Sequence, residues 1–174
     1  GFNPIKINAV LLKDLNDGEL DAFIEWACRG MNIRFIELME TGDNKKYFET
    51  HHLNGDVLVN RLQLDGWIEA PRDPLAGPAR TWKKTGISGS VGLIAPYSKD
   101  FCTTCNRLRI SAKGALHLCL FGDGGHDLRH LLGRDSDKEE LKSEICQLLD
   151  LKVAGHSLHD HQTGWTKHFA SIGG

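Results

Sequence analysis

A long apolar run, a strong net charge and a disulfide framework are all absent from this sequence of 174 residues. No run of about 18 apolar residues occurs, so no membrane-spanning helix is predicted. No charged-then-apolar leader precedes the first strand, so secretion is not predicted. The net charge of −2 gives no overall basic field for nucleic acid or an anionic membrane. The 5 cysteines are odd in number and unevenly spaced, which favours reduced thiols in the cytoplasm, some on a metal.

The first 39 residues predict a strand–helix–strand unit. Apolar residues dominate 5–12 and 33–39, and one helical face between them is formed by Leu20, Phe23, Ile24 and Ala27. A helical crossover joins parallel strands, so an α/β sheet or barrel is expected. The chain enters the first strand almost at once after Gly1, so we expect a piece of a longer protein.

The later residues predict a different architecture. Helices are expected at 52–66, 126–132 and 137–153, with short strands and turn residues between the first two. This pattern favours an α+β region with a small antiparallel sheet.

Polar residues interrupt both early strands. Lys6 and Asn8 share one face of the first strand, and Arg34 and Glu37 lie in the second. Buried parallel strands are usually almost continuous in apolar residues. Charges on the inner side of a barrel predict a lined ligand cavity, and strand-end side chains that reach solvent are the alternative. At this point both interpretations stand.

A β-hairpin is predicted from strands at 106–111 and 115–121. Its two leucine-rich faces coincide in the register that pairs Leu108 with Leu118 and Ile110 with Leu116. That register leaves a three-residue loop ending in Gly114, which is a common hairpin geometry. It also places Arg107 opposite Cys119.

The hairpin brings three cysteines together. Cys102 and Cys105 form a C-x-x-C before the outgoing strand, and the return strand carries Cys119 back to the same base. Three converging thiolates predict a metal site, with Arg107 and Arg109 on the face of Cys119.

The identity of the metal stays open on the residues alone. Zinc needs a fourth ligand, for which His117 and His126 are available, and would make this a zinc-ribbon nucleotide-binding module. A 4Fe–4S cluster held by three cysteines leaves one iron open. Arg107 and Arg109 favour the cluster, because their guanidinium groups suit a phosphate or carboxylate. A ferredoxin-like electron carrier is a third hypothesis, which the arginines and the open position argue against.

The remaining cysteines and a histidine-rich tail have simpler interpretations. Cys28 and Cys146 lie among apolar helical neighbours and are expected to be buried free thiols. His156, His159 and His161 lie in a polar, glycine-containing stretch and are expected to be solvated.

Several stretches together resemble the molybdenum-cofactor biosynthesis protein A family, the radical S-adenosylmethionine enzymes also called GTP 3′,8-cyclases. The stretches are IKIN, RFIELMETG, GLIAPYSKDFCTTCNRLRISAKGALHLCLFG and the terminal IGG. The resemblance covers essentially the whole chain, but the family's N-terminal C-x3-C-x2-C is absent. It implies the last strands and helix of an incomplete parallel (β/α) TIM-like barrel at 1–50, followed by a C-terminal cluster- and GTP-binding domain at 51–174.

The resemblance also implies a ligand set. Cys102, Cys105 and Cys119 match the ligands of the family's second 4Fe–4S cluster, whose open iron contacts the purine of GTP. The triplet of Arg107, Leu108 and Arg109 matches residues that bind GTP, with both arginines on the phosphates.

Other matches lie in the barrel part and at the chain end. Lys6 and Arg34 match further GTP contacts, and Met39 matches a contact to the adenosine part of S-adenosylmethionine. Gly173 and Gly174 match a mobile double glycine that reaches into the active site, and we expect them to be poorly ordered without nucleotide.

The reaction implied is a lyase-type radical cyclisation of GTP to (8S)-3′,8-cyclo-7,8-dihydroguanosine 5′-triphosphate. A first 4Fe–4S cluster, on the missing N-terminal part, cleaves S-adenosylmethionine, so this chain alone is expected to be inactive. The product passes on to cyclic pyranopterin monophosphate synthase. Pairing through the unpaired apolar edge of the first strand predicts a homodimer.

Overall fold

The computed structural model describes residues 2, 4–73, 75–103, 105–122 and 124–172, without the side chain of Ser171. The chain divides into two compact units. Unit 1 comprises Gly1–Met39 and Lys46–Thr104, and unit 2 comprises Glu40–Lys45 and Cys105–Gly174. None of the helices formed by the described residues is long and apolar enough to span a bilayer.

Unit 1 is built on a five-stranded mixed sheet. Its strands are β1 (Lys6–Leu11), β2 (Asn32–Glu37), β3 (Ile68–Glu69), β4 (Arg80–Lys83) and β5 (Ser90–Ile94). Their order across the sheet is β1-β2-β5-β4-β3. The first three in that order are parallel, while β4 and β3 are antiparallel to their neighbours. The predicted strand–helix–strand unit and its parallel pairing are therefore confirmed, and β1 lies at an edge of the sheet.

Helices cover one face of this sheet. They are α1 (Leu20–Cys28), α2 (Lys45–His51, which begins at the last residue of a unit 2 segment) and α3 (Asp56–Leu64). The predicted apolar stripe of α1 packs into the core, with Leu20, Ile24 and Ala27 buried. Strand residues from the same face complete that core, namely Leu11, Ile33, Phe35, Trp82, Val91 and Leu93. The opposite face of the sheet carries the polar residues of these strands, together with Val10 and Ile36.

The predicted helix over 52–66 was wrong at its beginning. Residues 52–54 are not helical, and the side-chain Oδ1 of Asn54 accepts a hydrogen bond from the amide of Asp56 at 2.7 Å, where α3 begins. Asn side chains compete with the helix for backbone donors in this way. Val57 and Leu64, two apolar residues within the predicted helix, are 43% and 84% exposed.

Unit 2 contains a three-stranded antiparallel sheet and one longer helix. The strands are β6 (Arg109–Ile110), β7 (Ala115–His117) and β8 (His126–Asp127), and the helix is α4 (Lys138–Leu149). The small antiparallel sheet and α4 were predicted. The expected helix over 126–132 was wrong, because its first residues form β8 and only a single 3₁₀ turn, Arg129–Leu131, follows.

A leucine cluster holds α4 against the sheet of unit 2. Leu116, Leu118, Leu128 and Leu148 are buried together, and Leu141 and Ile145 of the helix pack against them. Burying a side chain of this kind stabilises the fold by about 1.5–3 kcal/mol. The position of the hairpin is therefore fixed by the helix that follows it.

Candidate functional site

One face of the sheet in unit 1 carries an ordered set of polar residues. Strand pairing aligns them in two rows, Lys6–Asn32–Ser90 and Asn8–Arg34–Gly92. The residues between them along each strand point to the core, as the alternating burial of β1 and β2 shows. The sequence prediction that Lys6 and Asn8 share a face is confirmed.

A depression of about 220 Å³ lies on this polar face. Its lining combines two cations with short polar groups: Lys6, Asn32, Ile33, Arg34, Thr81, Ser90 and Gly92. The hydroxyl of Ser90 donates to Oδ1 of Asn32 at 2.7 Å, which fixes both side chains on the floor. The structure thus brings together Lys6 and Arg34, the two predicted GTP contacts of unit 1.

The two cations of the depression form no ion pair with a carboxylate of the described residues. In the described part of the chain, no Asp or Glu lies within 4.0 Å of Lys6 or Arg34 in an ion pair. The contrast is Arg80, a neighbour in the same sheet, which binds both carboxylate oxygens of Glu69 at 2.8 and 2.7 Å. Two cations in one depression that no described carboxylate pairs with attract an anion.

Glu37 belongs to a different environment from the other polar strand residues. Only 1% of it is exposed, on the core side of β2, and its carboxylate lies 2.9 Å from Nε2 of His52. The His52 ring also contacts Tyr97, with ring centroids 5.0 Å apart. The pair joins the end of β2 to the segment after α2 and has no part in the depression.

The hairpin of unit 2 adopts the predicted register. Ile110 lies opposite Leu116, and Arg109 opposite His117. The amide of Ser111 donates to the carbonyl of Ala115 at 2.9 Å and closes the loop.

Gly114 ends that loop with φ +80°, a conformation that a residue with a side chain rarely adopts. The loop geometry expected from the sequence is therefore confirmed. The strands are shorter than predicted, because strand pairing ends at Arg109 and His117.

The two arginines of the hairpin differ in exposure. Arg107 is exposed and lies before the paired strand, while Arg109 is half-buried within it. No carboxylate of the described residues forms an ion pair with either of them. Burial, the neighbouring His126 and the positive charge of Arg109 together lower the pKa of His117, with burial the largest cause. Arg109 therefore raises the local positive potential.

Cys119 lies in a turn and not on the predicted return strand. Its Sγ accepts a hydrogen bond from the amide of Phe121 at 3.5 Å. Donors of this kind stabilise a thiolate and tune a metal bound to it. Cys102 and Cys105 are half-buried free thiols like Cys119, so the donor chemistry suits iron or zinc.

The three cysteines are divided between the two units. Cys102 belongs to unit 1, whereas Cys105 and Cys119 belong to unit 2. Across the described ranges, no three His, Cys, Asp or Glu side chains are arranged as metal ligands. In many proteins the ligands of a metal come together only when the metal binds. The convergence of the three thiols therefore stays a prediction.

Other sequence interpretations have mixed outcomes. Cys28 and Cys146 are exposed, so the expectation of buried thiols was wrong: both lie on helix positions that face away from the cores. Met39 is half-buried, two residues beyond the end of β2. Gly173 and Gly174 lie outside the described residues, and the expectation about their order is untested.

The histidine-rich tail is anchored by hydrogen bonds, while His159 and His161 are exposed as predicted and His156 is half-buried. Nδ1 of His161 lies 2.6 Å from the buried carboxylate of Glu40. The amide of Gly42 donates to the carbonyl of Thr166 at 3.0 Å, and the Thr166 hydroxyl donates to the carbonyl of Leu120. The tail thus connects the segment after Met39 to the turn that carries Cys119, within unit 2.

Sequence reasoning missed three polar residues of the depression: Asn32, Thr81 and Ser90. Asn32 was detectable, because it lies two positions before Arg34 and so on the same face of β2. Ser90 and Thr81 reach the depression only through the order of β5 and β4 in the sheet, which no local pattern encodes.

Comparison with known proteins gives a consistent set of similarities. The family profile described as Molybdenum Cofactor Synthesis C matches residues 31–158. A GTP 3′,8-cyclase of Stenotrophomonas maltophilia (strain K279a) is 54% identical over 175 residues, which cover 100% of this chain and 54% of the relative.

Proteins of the same name from two further bacteria are similar. The one from Psychromonas ingrahamii is 49% identical and the one from Vibrio vulnificus (strain CMCP6) is 48% identical; both alignments cover 100% of this chain and 52% of the relative. The chain therefore spans about half the length of the curated relatives it matches.

Proposed function

Because the chain belongs to the Molybdenum Cofactor Synthesis C family, we propose that it is the C-terminal half of a GTP 3′,8-cyclase. The whole protein would convert GTP to (8S)-3′,8-cyclo-7,8-dihydroguanosine 5′-triphosphate, a lyase reaction of molybdenum cofactor biosynthesis. The observation that carries the proposal is the depression lined by Lys6 and Arg34, which form no ion pair with a carboxylate in the described part of the chain.

The role of this chain would be to bind and orient GTP. Lys6 and Arg34 supply two positive charges in a site of about 220 Å³, which suits part of a triphosphate. Asn32, Ser90 and Thr81 add hydrogen-bonding groups that can select a polar ligand. Arg107 and Arg109 supply two further charges from the hairpin, with Leu108 exposed between them.

Cys102, Cys105 and Cys119 would hold the second 4Fe–4S cluster of the enzyme. Such a cluster, when bound through three cysteines, supplies an open iron that accepts a donor atom of the purine. The free thiols and the amide donor on Cys119 support this assignment. The competing zinc-ribbon module uses the same thiols with a histidine.

The rest of the proposal concerns the whole enzyme. The sheet of unit 1 would complete a TIM-like barrel with the preceding half, with the functional boundary near residue 50. The preceding half would bind a first 4Fe–4S cluster and S-adenosylmethionine, with Met39 near the adenosine, so this chain alone would be inactive.

Three further assignments complete the proposal. Gly173 and Gly174 would enter the site by backbone reach alone, since glycine has no side chain. The enzyme would act in the cytoplasm as a homodimer. It would pass its product to cyclic pyranopterin monophosphate synthase.

Equilibrium dialysis against GTP tests the binding role directly. Changing Arg107 or Arg109 to Ala should weaken GTP binding about 10- to 150-fold, because a charge-assisted phosphate contact contributes about 1.5–3 kcal/mol. Iron content should stay unchanged, since neither side chain is a proposed ligand. Unchanged GTP affinity together with lost iron would contradict the assignment of these arginines.

The proposed role of the C-terminal glycines in the reaction can be tested only in the intact enzyme. Gly174→Ala should reduce turnover far more than GTP binding or iron content, because a Cβ obstructs close backbone approach without removing a ligand. All three quantities are measured on one preparation. Wild-type turnover would show that the last residues have no part in the reaction.

A further inference from the structure

The strand pairing of the hairpin does not extend to Arg107 and Cys119, two residues of the proposed site. The last paired residues are Arg109 and His117. Arg107, a proposed phosphate contact, and Cys119, a proposed cluster ligand, both lie beyond that point. Strand pairing therefore does not set the separation of these two residues.

Lys152 connects the two segments that carry these residues. Its Nζ donates to the carbonyl oxygen of Arg107 at 3.2 Å and also to the carbonyl oxygen of Leu118, the residue before Cys119. An N–H···O bond spans about 3 Å, so one ammonium group keeps these two oxygens within about 6 Å of each other. The bridge replaces the strand pairing at the open end of the hairpin.

The fold delivers Lys152 to this place. α4 packs on the leucine face of the hairpin through Leu148, next to Leu116 and Leu118. After the helix ends at Leu149, the chain makes a tight turn in which the amide of Lys152 donates to the carbonyl of Leu149 at 3.0 Å. The residue is half-buried there, and its ammonium group is directed at backbone oxygens.

A second lysine of unit 2, Lys142, forms an ordinary surface ion pair and serves as a comparison. Lys142 lies on α4 and pairs with Glu139 at 2.7 Å, with 57% of the lysine and 82% of the glutamate side chain exposed. Such surface pairs contribute little. Lys152 instead binds two backbone carbonyls, one just before β6 and one just after β7.

We infer that Lys152 is a positioning residue that fixes Arg107 relative to Cys119, so that a phosphate held by Arg107 has a defined place beside the cluster ligand. The inference rests on the proposed function, since it takes from it the roles of Arg107 and Cys119. Lys152 itself touches neither phosphate nor metal in this account. It acts through the two carbonyl oxygens, and its positive charge adds to that of the arginines.

The experiment compares Lys152→Met, Lys152→Arg and Lys142→Met in the full-length enzyme that contains this chain. Iron content, the Kd for GTP and the change in the EPR spectrum of the reduced clusters on adding GTP are measured under anaerobic conditions. Lys152→Met should raise the Kd by about 10- to 100-fold and weaken or abolish the GTP-induced spectral change, as supporting residues around metal sites typically do. Iron content should fall by less than half.

The other two variants separate positioning from general effects. Lys152→Arg keeps a cation with several donors and should restore the affinity to within about threefold of wild type. Lys142→Met removes the same charge from α4 and should change neither the Kd nor the spectrum. Circular dichroism and thermal unfolding establish that each variant is folded.

Two results would overturn the inference. A folded Lys152→Met enzyme with wild-type Kd and spectral change shows that the bridge does not position the site. If Lys152→Met does not fold, Lys152→Gln takes its place with the same expectations, and failure of both to fold shows that Lys152 supports the fold and not the site. A wild-type enzyme that binds neither iron nor GTP would instead refute the proposed function, which is a distinct result.

Discussion

Arg34→Met should affect two properties in opposite directions: the stability of the fold and the affinity for GTP. Lys6 pairs with Asn32 across β1 and β2, and Arg34 lies two residues further along β2 on the same face. With about 3.3 Å per residue and about 4.8 Å between strands, the two backbone positions are about 8 Å apart. Like charges at this separation repel each other.

The repulsion can be given a magnitude. At about 8 Å it amounts to about 0.5 kcal/mol in water and about 2 kcal/mol at an effective dielectric constant of 20. Both side chains reach solvent, so the lower figure applies more closely. Arg34→Met keeps most of the aliphatic chain and removes the charge, so stability should stay unchanged or rise by up to about 1 kcal/mol.

Binding should respond in the opposite direction. Loss of one charge-assisted contact of about 1.5–3 kcal/mol predicts GTP affinity about 10- to 150-fold weaker. Urea unfolding and equilibrium dialysis measure the two effects on one preparation. The control is Arg29→Met, which removes a cation from an exposed pair with Glu25 and should alter neither.

The reasoning would be refuted by the reverse outcome. If Arg34→Met destabilises the fold by more than about 1 kcal/mol and leaves GTP affinity unchanged, Arg34 is a structural residue. This result would contradict the proposal that the polar face binds GTP.

Three further predictions concern residues of unit 1. Gly92→Ala should fold normally, because a Cβ there would lie at ordinary contact distance, 3.5 Å from the carbonyl oxygen of Arg80 and 3.6 Å from Cγ of Arg34. The added methyl group would occupy part of the depression, so equilibrium dialysis should show GTP binding weakened about tenfold. Arg80, chiefly through its hydrogen bonds, lowers the pKa of Glu69 below the usual 4.5. The stability that this pair contributes is therefore complete above pH 4.5 and is lost as the pH falls through the lower pKa of the folded state. Urea unfolding over this pH range should show a smaller loss of stability on acidification for Glu69→Gln than for the wild type. Glu37→Ala removes a buried hydrogen-bond partner and should cost about 1–3 kcal/mol in urea unfolding without weakening GTP binding; a large loss of affinity would connect Glu37 to the site.

Local patterns were enough to predict the elements with a regular period. The stripe of α1 and the alternation of β1 gave their buried faces correctly, because each pattern repeats with the geometry of its element. The hairpin register followed from matching Ile110 to Leu116 and from the glycine at the loop end. Sequence reasoning succeeded where neighbours in the chain are neighbours in space.

The parts that escaped prediction depend on distant residues. Nothing near Ser90 indicates that its strand lies beside β2, and that order is what makes it a lining residue. Lys152 lies in the last turn of the helix predicted over 137–153, whereas α4 ends at Leu149 and the leucine cluster decides where the residues after it lie. Cys28 was expected to be buried, but apolar neighbours along the chain did not place it on the buried face.

Metal analysis of the anaerobically reconstituted chain tests the central claim most directly. The proposed function predicts about four irons and about four sulfides per chain, with a brown colour. Cys119→Ala should lose most of this iron, whereas Cys146→Ala, which changes an exposed cysteine of α4, should keep it. A colourless protein that takes up about one zinc through the same cysteines, and no iron, would contradict the account.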